Sequence, residues 1–338
     1  MSTLANLVQP EQFTGYIQEE SIKRSALFQS GAFVTSDLVQ GLANGGGIAV
    51  TIPAWKDLAD TDPNLSSDVI SSKATPNDVE AVAMKTRVAN LNNGWSSIDL
   101  ANELSGVNAS NMIQSRVQDY WTRVMNKRLI ASLEGLRADS VANHGSDMLV
   151  GDSTRAFSYD MVVDGCVTLD ENLDQMKMLV VHPKVFGYIA KLGKGNGEIK
   201  IEYRNIAELN MTIPTYAGLA LLVDSSVPFD DSDVDNVIYT SILLGSGSFA
   251  VAMGTPKYGL EFDRQASSCD GGGSEVVWSR VSPIVHPLGY DWTDTAVAGQ
   301  SPTLEELKDA ANWTRKYERE NVPIAFIESR IATAPTAP

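Results

Sequence analysis

Three histidines are the first residues in this sequence whose side chains could do chemistry. His144, His182 and His286 lie far apart, and no two have the His-x-x-x-His spacing that places two metal ligands on one helix face. His182 and His286 each precede a proline at the end of a strand-like run. We therefore expect structural roles for the histidines and predict no metal site there.

An acidic run is the second candidate for chemistry. Asp231, Asp233 and Asp235 have the i, i+2, i+4 spacing of a calcium-binding loop. The pattern then fails, because Asn236 stands where the glycine belongs and Ile242 stands where the bidentate glutamate belongs. The run is more typical of a solvated acidic loop, and adventitious binding of a divalent cation is the alternative.

The glycine-rich stretches supply no catalytic motif. The stretch "LGKGNGE" lacks the Gly-x-x-x-x-Gly-Lys-Ser/Thr spacing of a phosphate loop, and it follows a predicted helix instead of preceding one. The Gly-x-Ser-x-Gly elbow of serine hydrolases does not occur. With no catalytic constellation in the sequence, we predict no enzymatic activity, no catalytic residue and no cofactor.

The charge balance argues against a protein that binds nucleic acid tightly. The 338 residues include 26 Lys+Arg and 42 Asp+Glu, a net charge of −16, and they contain no basic run. Tight binding to DNA or RNA needs a cationic face that displaces phosphate counterions. Two distant cysteines offer no disulfide framework. The sequence shows no signal-peptide pattern and no apolar run approaching the about eighteen residues of a membrane span.

A glycine-bounded run predicts one strand of a ribbon. In "GGGIAVTIPAW", residues Ile48, Val50 and Ile52 alternate with smaller residues, and a second strand-like run begins near Val79. The intervening residues 56–78 are mostly polar and acidic. A two-stranded ribbon with a long polar tip is only marginally stable by itself in water, so the ribbon must pack against another surface.

Helix and strand patterns organise the rest of the chain. Apolar residues at three- and four-residue steps predict a helix over 111–138, about 40 Å long at about 1.5 Å per residue, which suggests a structural spine. After residue 145 the pattern is α/β: "MKMLVVH" predicts a buried strand and "PKVFGYIAKLG" a helix. Thr303 and Glu306 have capping-box spacing, and Asn93-Gly94 predicts a turn.

In this order of elements, the chain resembles the tailed-bacteriophage major capsid proteins of the Hong Kong 97-type fold. The stretches that carry the resemblance are "MLVVHPKVFGYIAKLG", "TYAGLALLVDSSVP", "YTSILLGSGSFAVAMGTPKYGLEFDRQAS", "HPLGYDW" and "SPTLEELKDAANWTRKYERENVPIAFIESR". The last is similar to the C-terminal element of siphophage coats that lack a cleaved propeptide. The resemblance covers nearly the whole chain. Each motif alone has low specificity, so the resemblance depends on the order and spacing of the motifs together.

The resemblance implies an α+β, Hong Kong 97-like capsid fold with five parts. These are an N-terminal arm (1–44), an extended β-hairpin loop with flanking peripheral-domain strands (45–98), a spine helix with the peripheral domain (99–150), an α/β axial domain (151–262) and a return peripheral-domain strand with the C-terminal element (263–338). It also implies the function of a major capsid protein in the icosahedral head that encloses phage double-stranded DNA, and therefore a place in the virion after assembly in the bacterial cytoplasm.

The same resemblance suggests that the ribbon packs against another copy of the protein. A hairpin that cannot bury its apolar face within its own subunit must bury it against another one. We therefore predict seven intersubunit contacts: Ile48, Val50, Ile52, Trp55, Val82, Met84 and Val88. The alternative is that these residues pack on their own subunit.

Further partners are implied by the resemblance. They are other copies in hexamers and pentamers, a portal protein, a possible decoration protein and packaged DNA enclosed without sequence-specific contacts; no membrane partner is expected. Because the arm pattern begins close to Met1, we expect a separate scaffolding protein. The alternatives are an encapsulin-like nanocompartment shell, and less favoured, a soluble α/β enzyme.

Some coats of this type lock neighbouring subunits covalently, joining a loop lysine to an asparagine beside a buried glutamate. Lys56 and Lys73 lie in the corresponding region, but no asparagine or glutamate can be matched to the other two positions. The resemblance to the siphophage subgroup therefore implies a non-covalent lattice.

Overall fold

The computed structural model describes residues 33–34, 41, 47–56, 58, 61–66, 68–79, 81–99, 109–192, 201–206, 211–233, 236–254 and 256–331. Most of the predicted N-terminal arm lies outside the described residues, as does the glycine-rich stretch from 193 to 200.

The described elements are strands joined by four α-helices. The helices are α1 (Ala109–Asn143), α2 (Tyr159–Val167), α3 (Pro183–Leu192) and α4 (Leu304–Lys308). The strands are β1 (Phe33–Val34), β2 (Ala49–Trp55), β3 (Ala81–Arg87), β4 (Leu91–Ile98), β5 (Leu149–Ala156), β6 (Met176–Val181), β7 (Glu202–Ile206), β8 (Met211–Tyr216), β9 (Leu219–Val223), β10 (Phe229–Asp230), β11 (Ile238–Gly245), β12 (Phe249–Gly254), β13 (Leu260–Gln265), β14 (Ser274–Pro287), β15 (Tyr290–Trp292), β16 (Trp313–Arg315) and β17 (Ile324–Arg330).

The larger sheet has eight strands and mixed polarity. Seven follow the order β5-β17-β11-β6-β9-β8-β7, and β10 pairs with β11 beside them. The pairs β5–β17 and β6–β9 are parallel, and the other pairs are antiparallel. The run "MKMLVVH" forms β6 near the centre of this sheet, which confirms the predicted buried strand.

Helices cover both faces of this sheet, so its central strands are buried throughout. Successive residues of β11 point to opposite faces: Ile242 and Leu244 pack with α1, whereas Leu243 packs with α2 and α3. Every residue of β11 from Tyr239 to Gly245 is buried. A strand buried on both faces reads as a continuous apolar run, which explains the sequence "SILLG".

Helix α1 confirms the predicted spine and extends beyond it at both ends. Its 35 residues span about 52 Å at about 1.5 Å per residue. Leu129, Leu133 and Leu136 lie in the core under the larger sheet. Nearer its N-terminal end, Trp121 donates its indole hydrogen to Ser279 Oγ at 2.9 Å, which joins the helix to β14.

A second sheet is built around β14, which has 14 residues. Residues 274–281 of β14 pair with β4 on one side, residues 274–279 pair with β13 on the other, and residues 282–287 pair with β12. The turn predicted at Asn93-Gly94 is wrong, because both residues lie inside β4. Glycine is needed there for a different reason: a Cβ at Gly94 would come within 2.7 Å of the Trp278 ring.

The C-terminal segment contains the predicted capping box at the start of α4. Thr303 Oγ1 accepts a hydrogen bond from Glu306 N at 3.2 Å, and Glu306 Oε2 accepts one from Thr303 N at 2.8 Å. Strand β17 then runs back into the larger sheet beside β11 and β5. The chain thus returns from the second sheet into the first.

Candidate assembly surface

The ribbon consists of β2 and β3, which pair antiparallel from Ala49 opposite Arg87 to Trp55 opposite Ala81. Beyond Trp55 the described residues of the tip lie between 56 and 79. Asn64 Nδ2 donates to Thr75 O at 2.9 Å, and Asn77 Nδ2 donates to Thr61 Oγ1 at 2.7 Å. These side-chain bonds join the two sides of the tip.

One face of the ribbon is covered by its own subunit. Val50 and Ile52 on β2, and Met84 and Val88 on the return strand and just beyond it, are 2–6% exposed. They pack against a cluster on β12 and β14: Ala250, Ala252 and Ile284. Val82 is partly buried against the same cluster.

For Val50, Ile52, Met84 and Val88, burial favours the alternative that these residues pack on their own subunit. Their alternation identifies an apolar face correctly, but β12 and β14 supply the surface that covers it. A side chain buried in its own subunit has almost no area left for a neighbour, so these four leave the set of candidate contacts.

The other face of the ribbon and its tip are exposed. Trp55, at the end of β2, is 72% exposed, and Ile48, just before β2, is 40% exposed although it precedes the buried face, so these two predicted contacts remain available to a partner. The tip adds apolar side chains that the alternation of the ribbon strands did not predict as contacts. They are Leu58, Leu65, Val69, Ile70 and Val79, each more than half exposed, with Ile70 fully so. Apolar side chains grouped on one projection are typical of an interaction site.

Ion pairs fix the base of the ribbon. Lys85 Nζ lies 2.7 Å from Asp294 Oδ2, and Arg87 Nε lies 3.3 Å from Asp294 Oδ1. The backbone N–H of Lys85 donates to Asp291 Oδ1 at 2.6 Å. Burial favours the neutral form of Asp294, but hydrogen bonds from Lys85 and Trp292 and the nearby cationic charges outweigh it, so the pKa of Asp294 is lowered. The ribbon is thus held at its base and exposed at its tip.

These anchors are not apparent in the sequence, because each partner is more than 200 residues away along the chain. The only local signal is the outward alternation of Lys85 and Arg87 with the apolar residues of β3. That pattern marks the two cations as facing away from the buried face, but it does not identify their carboxylate partners.

A second exposed apolar strip lies on β13, at the edge of the second sheet. All six residues of β13 are exposed, and Leu260 and Phe262 lie on one face, 47% and 48% exposed. Arg264 Nη2 pairs with Asp99 Oδ2 at 2.6 Å near the end of the strand. An edge strand with apolar side chains is a ready surface for another chain.

The histidines occupy structural positions. His286 is buried, and burial lowers its pKa to about 4, so the ring is neutral and its Nε2 donates to Tyr290 O at 2.9 Å. His144 Nε2 lies 3.4 Å from Asp139 Oδ2. The His182 ring packs near the rings of Phe229 and Tyr239, and burial together with the charge of Lys184 lowers its pKa.

No cluster of three or more His, Cys, Asp or Glu among the described residues could hold a metal ion. In the acidic run, Asp233 Oδ2 accepts from Asn236 Nδ2 at 2.8 Å, and Asp235 lies outside the described residues. Both cysteines are free thiols. In the part of the chain that the structure describes, no helix is long and apolar enough to cross a membrane.

Comparisons with known proteins point to viral shells. No family model matches the chain. The major capsid protein of Bacillus phage SPP1 is 29% identical over 330 residues, covering 97% of this chain and 98% of the relative. The capsid of Ralstonia phage GP4 matches with a TM-score of 0.58 at 13% identity over 100% of both chains. The cyanophage Pam1 capsid matches with a TM-score of 0.59 at 12% identity over 98% of both chains.

The fold also occurs outside phage capsids. The SrpI encapsulin of Synechococcus elongatus PCC 7942 matches with a TM-score of 0.52 at 11% identity, over 97% of this chain and 95% of that one. Structural likeness at such low identity shows the fold alone, whereas the near full-length sequence similarity is to a phage coat. The resemblance stated from the sequence is thereby confirmed: the chain has the α+β Hong Kong 97-type fold of tailed-phage major capsid proteins.

Proposed function

We propose that this chain is the major capsid protein of a tailed phage and that its copies form the icosahedral head around the phage genome. The observation that carries the proposal is the similarity to the SPP1 major capsid protein along almost the whole length of both chains. The protein is then a component of the virion. A structural role in a shell also agrees with the character of the ribbon, whose contacts are apolar and ionic.

The ribbon tip is the proposed contact with neighbouring copies. In a single subunit its apolar side chains stay in water, whereas a closed lattice of identical subunits covers them. Ile48 and Trp55 belong to this contact, together with the tip residues between Leu58 and Val79. The ion pairs at Lys85 and Arg87 keep the tip oriented, so that less conformational entropy is lost when subunits associate.

The acidic character of the chain suits a container for DNA. A net charge of −16 disfavours non-specific binding of the DNA backbone, so a packaged genome is not held on the wall by counterion release. We propose that assembly uses a separate scaffolding protein and a portal protein. We also propose a decoration protein as a further partner. The five-part division of the chain given by the sequence resemblance stays a prediction.

Electron microscopy of the purified full-length protein, expressed with and without its phage's scaffolding protein, tests this proposal. We expect phage-sized shells of pentamers and hexamers when the scaffold is present. A small shell that retains a cargo enzyme would favour the encapsulin alternative. Subunits that never form shells under either condition would contradict the proposed function.

A further inference from the structure

A small pocket lies beside the base of the ribbon, where β3, α1 and β14 meet. Its lining includes two arginines, Arg87 and Arg128, and the polar side chains of Thr86, Ser132 and His286. The rest of the wall is apolar or aromatic, and it contains no carboxylate. The pocket is therefore positively charged, although the chain as a whole is strongly acidic.

Arg128 is the unusual member of this lining. It lies on α1 and is only 7% exposed. Burial lowers its pKa to about 10, so the guanidinium still carries its charge at neutral pH. Within the described part of the chain, no acidic side chain pairs with this guanidinium, and desolvation is the cause of its shift. A buried charge without a counter-charge costs several kcal/mol by usual estimates, about the amount that a bound anion can offset.

The groups around Arg128 are already engaged or neutral. Arg87 turns its guanidinium toward Asp294 and donates from Nη1 to Gly299 O at 3.1 Å. Ser132 Oγ donates to the backbone carbonyl of Arg128 at 3.0 Å, which does not neutralise the guanidinium. His286 is neutral and donates from Nε2 to Tyr290 O. One positive charge in the pocket thus stays uncompensated.

We propose that this pocket is an oxyanion site in which Arg128 binds a carboxylate or phosphate group. The guanidinium presents a planar fork of donors that matches both groups. Two sources carry this chemistry. One is a free anion such as inorganic phosphate, and the other is an acidic side chain of a second copy of this chain. Only the second source depends on the proposed assembly into a shell.

The ribbon tip is the segment of a second copy that we place at the pocket, because it combines a negative charge with exposed apolar side chains. Between 56 and 79 it carries five aspartates and two lysines. Its apolar side chains are exposed and must find a surface, and docking of the tip beside a cationic pocket satisfies both its charge and its apolar groups.

Titration of unassembled full-length subunits with inorganic phosphate by calorimetry tests the site. We expect saturable binding to the wild type, with chloride at equal ionic strength giving none. Arg128→Met should weaken phosphate binding at least about tenfold, because it removes a charge-assisted pair. The matched control is Arg264→Met, which removes an exposed arginine on β13 and should leave the affinity unchanged.

Folding of the variants is checked by thermal unfolding without phosphate. Arg128→Met should be at least as stable as the wild type, because it removes an uncompensated buried charge. If it does not fold, Arg128→Lys keeps the charge but loses the fork and should still weaken binding. No saturable phosphate binding by wild-type subunits, or unchanged binding by a folded Arg128 variant, would overturn the proposal.

Assembled shells then distinguish the two sources. If a carboxylate of a neighbouring copy fills the pocket, phosphate binds the free subunit but not the shell. If shell and subunit bind phosphate equally, the occupant is a free anion. Because the subunit titration does not require assembly, failure of the oxyanion site and failure of the proposed capsid function give different results.

Discussion

Lys85 Nζ lies 2.7 Å from Asp294 Oδ2, a contact between residues 209 positions apart that ties the ribbon to the loop after β15. The same carboxylate lies 3.3 Å from Arg87 Nε through its other oxygen. A single aspartate therefore bridges two cations on the side of β3 that faces away from the apolar cluster. The apolar cluster on β12 and β14 holds one side of β3, and the Asp294 bridge holds the other. Together the two contacts set the orientation of the ribbon base.

Asp294→Asn should loosen this base without unfolding the subunit. Each partly exposed ion pair contributes about 0.2–1 kcal/mol, so we expect a small loss of global stability. Hydrogen exchange at neutral pH should nevertheless be faster in residues 81–87 and 291–299. Glu261→Gln, which breaks the exposed pair with Arg280 on β14, is the control and should leave exchange in the ribbon unchanged.

The stability that Asp294 contributes should depend on pH. The pKa of Asp294 is lowered from 3.8 in the folded subunit, so its contribution is present above that value and is lost as the pH falls through the folded pKa. Denaturant unfolding of wild type and Asp294→Asn should give a constant free-energy difference at neutral and mildly acidic pH, shrinking below about pH 4. A difference that grows on acidification would contradict this assignment.

Two substitutions on one ribbon should separate assembly from folding. Leu65→Ser combined with Ile70→Ser changes side chains that are 93% and 101% exposed, so the free energy of unfolding of the subunit should change little. Shell formation should fail, because the lattice loses apolar contacts. Denaturant unfolding and electron microscopy measure the two effects. Deletion of residues 56–78 should act in the same way.

The matched variant on the buried face should show the opposite behaviour. Ile52→Ala lies on the same ribbon but in the cluster with Ala250 and Ile284, so it should cost about 2–4 kcal/mol of subunit stability. If Leu65→Ser with Ile70→Ser still closes normal shells, the ribbon tip is not an essential contact between subunits.

The period of the apolar residues predicted most of the individual elements. The spine helix, strand β6, helix α3 and the capping box at Thr303 all follow from local spacing. The covering of the ribbon did not follow, because alternation identifies an apolar face but not the surface that packs on it. That surface is formed by Ala250, Ala252 and Ile284, about 200 residues further along the chain.

The same limit explains two other differences. Asn93-Gly94 is a common turn dipeptide, yet Gly94 lies in a strand because the Trp278 ring occupies the space above it. Arg128 is one of many cations on a long helix, and the sequence does not reveal that it faces a pocket without a counter-charge. Both properties depend on long-range packing, which local spacing does not encode.

The lattice should be held together without covalent links between subunits. Lys56 and Lys73 are the loop lysines available for such a link, but neither an asparagine nor a glutamate can be matched to the other roles. A covalent bond of this kind needs a deprotonated lysine beside a carboxylate with a raised pKa. Boiling mature particles in detergent and reductant should therefore give one band near 36.5 kDa. A ladder of multimers would show that a loop lysine had reacted.

Two glycines in helices should respond to alanine in opposite directions. Gly135 lies in α1, where an added Cβ would come within 2.2 Å of the Leu307 carbonyl oxygen and 2.5 Å of Trp313 Nε1. That carbonyl already accepts the Trp313 indole hydrogen at 2.8 Å, so it cannot move without loss of the bond. Gly135→Ala should therefore destabilise the subunit by about 1–3 kcal/mol despite the higher helix propensity of alanine.

Gly187 in α3 is the matched control, because a Cβ added there would meet no neighbouring atom within 4 Å. Gly187→Ala should stabilise the subunit by up to about 1 kcal/mol, since only the helix propensity changes. Denaturant unfolding of both variants measures the difference. Equal effects of the two substitutions would mean that α1 does not pack against α4 and β16 as closely as the distances at Gly135 require.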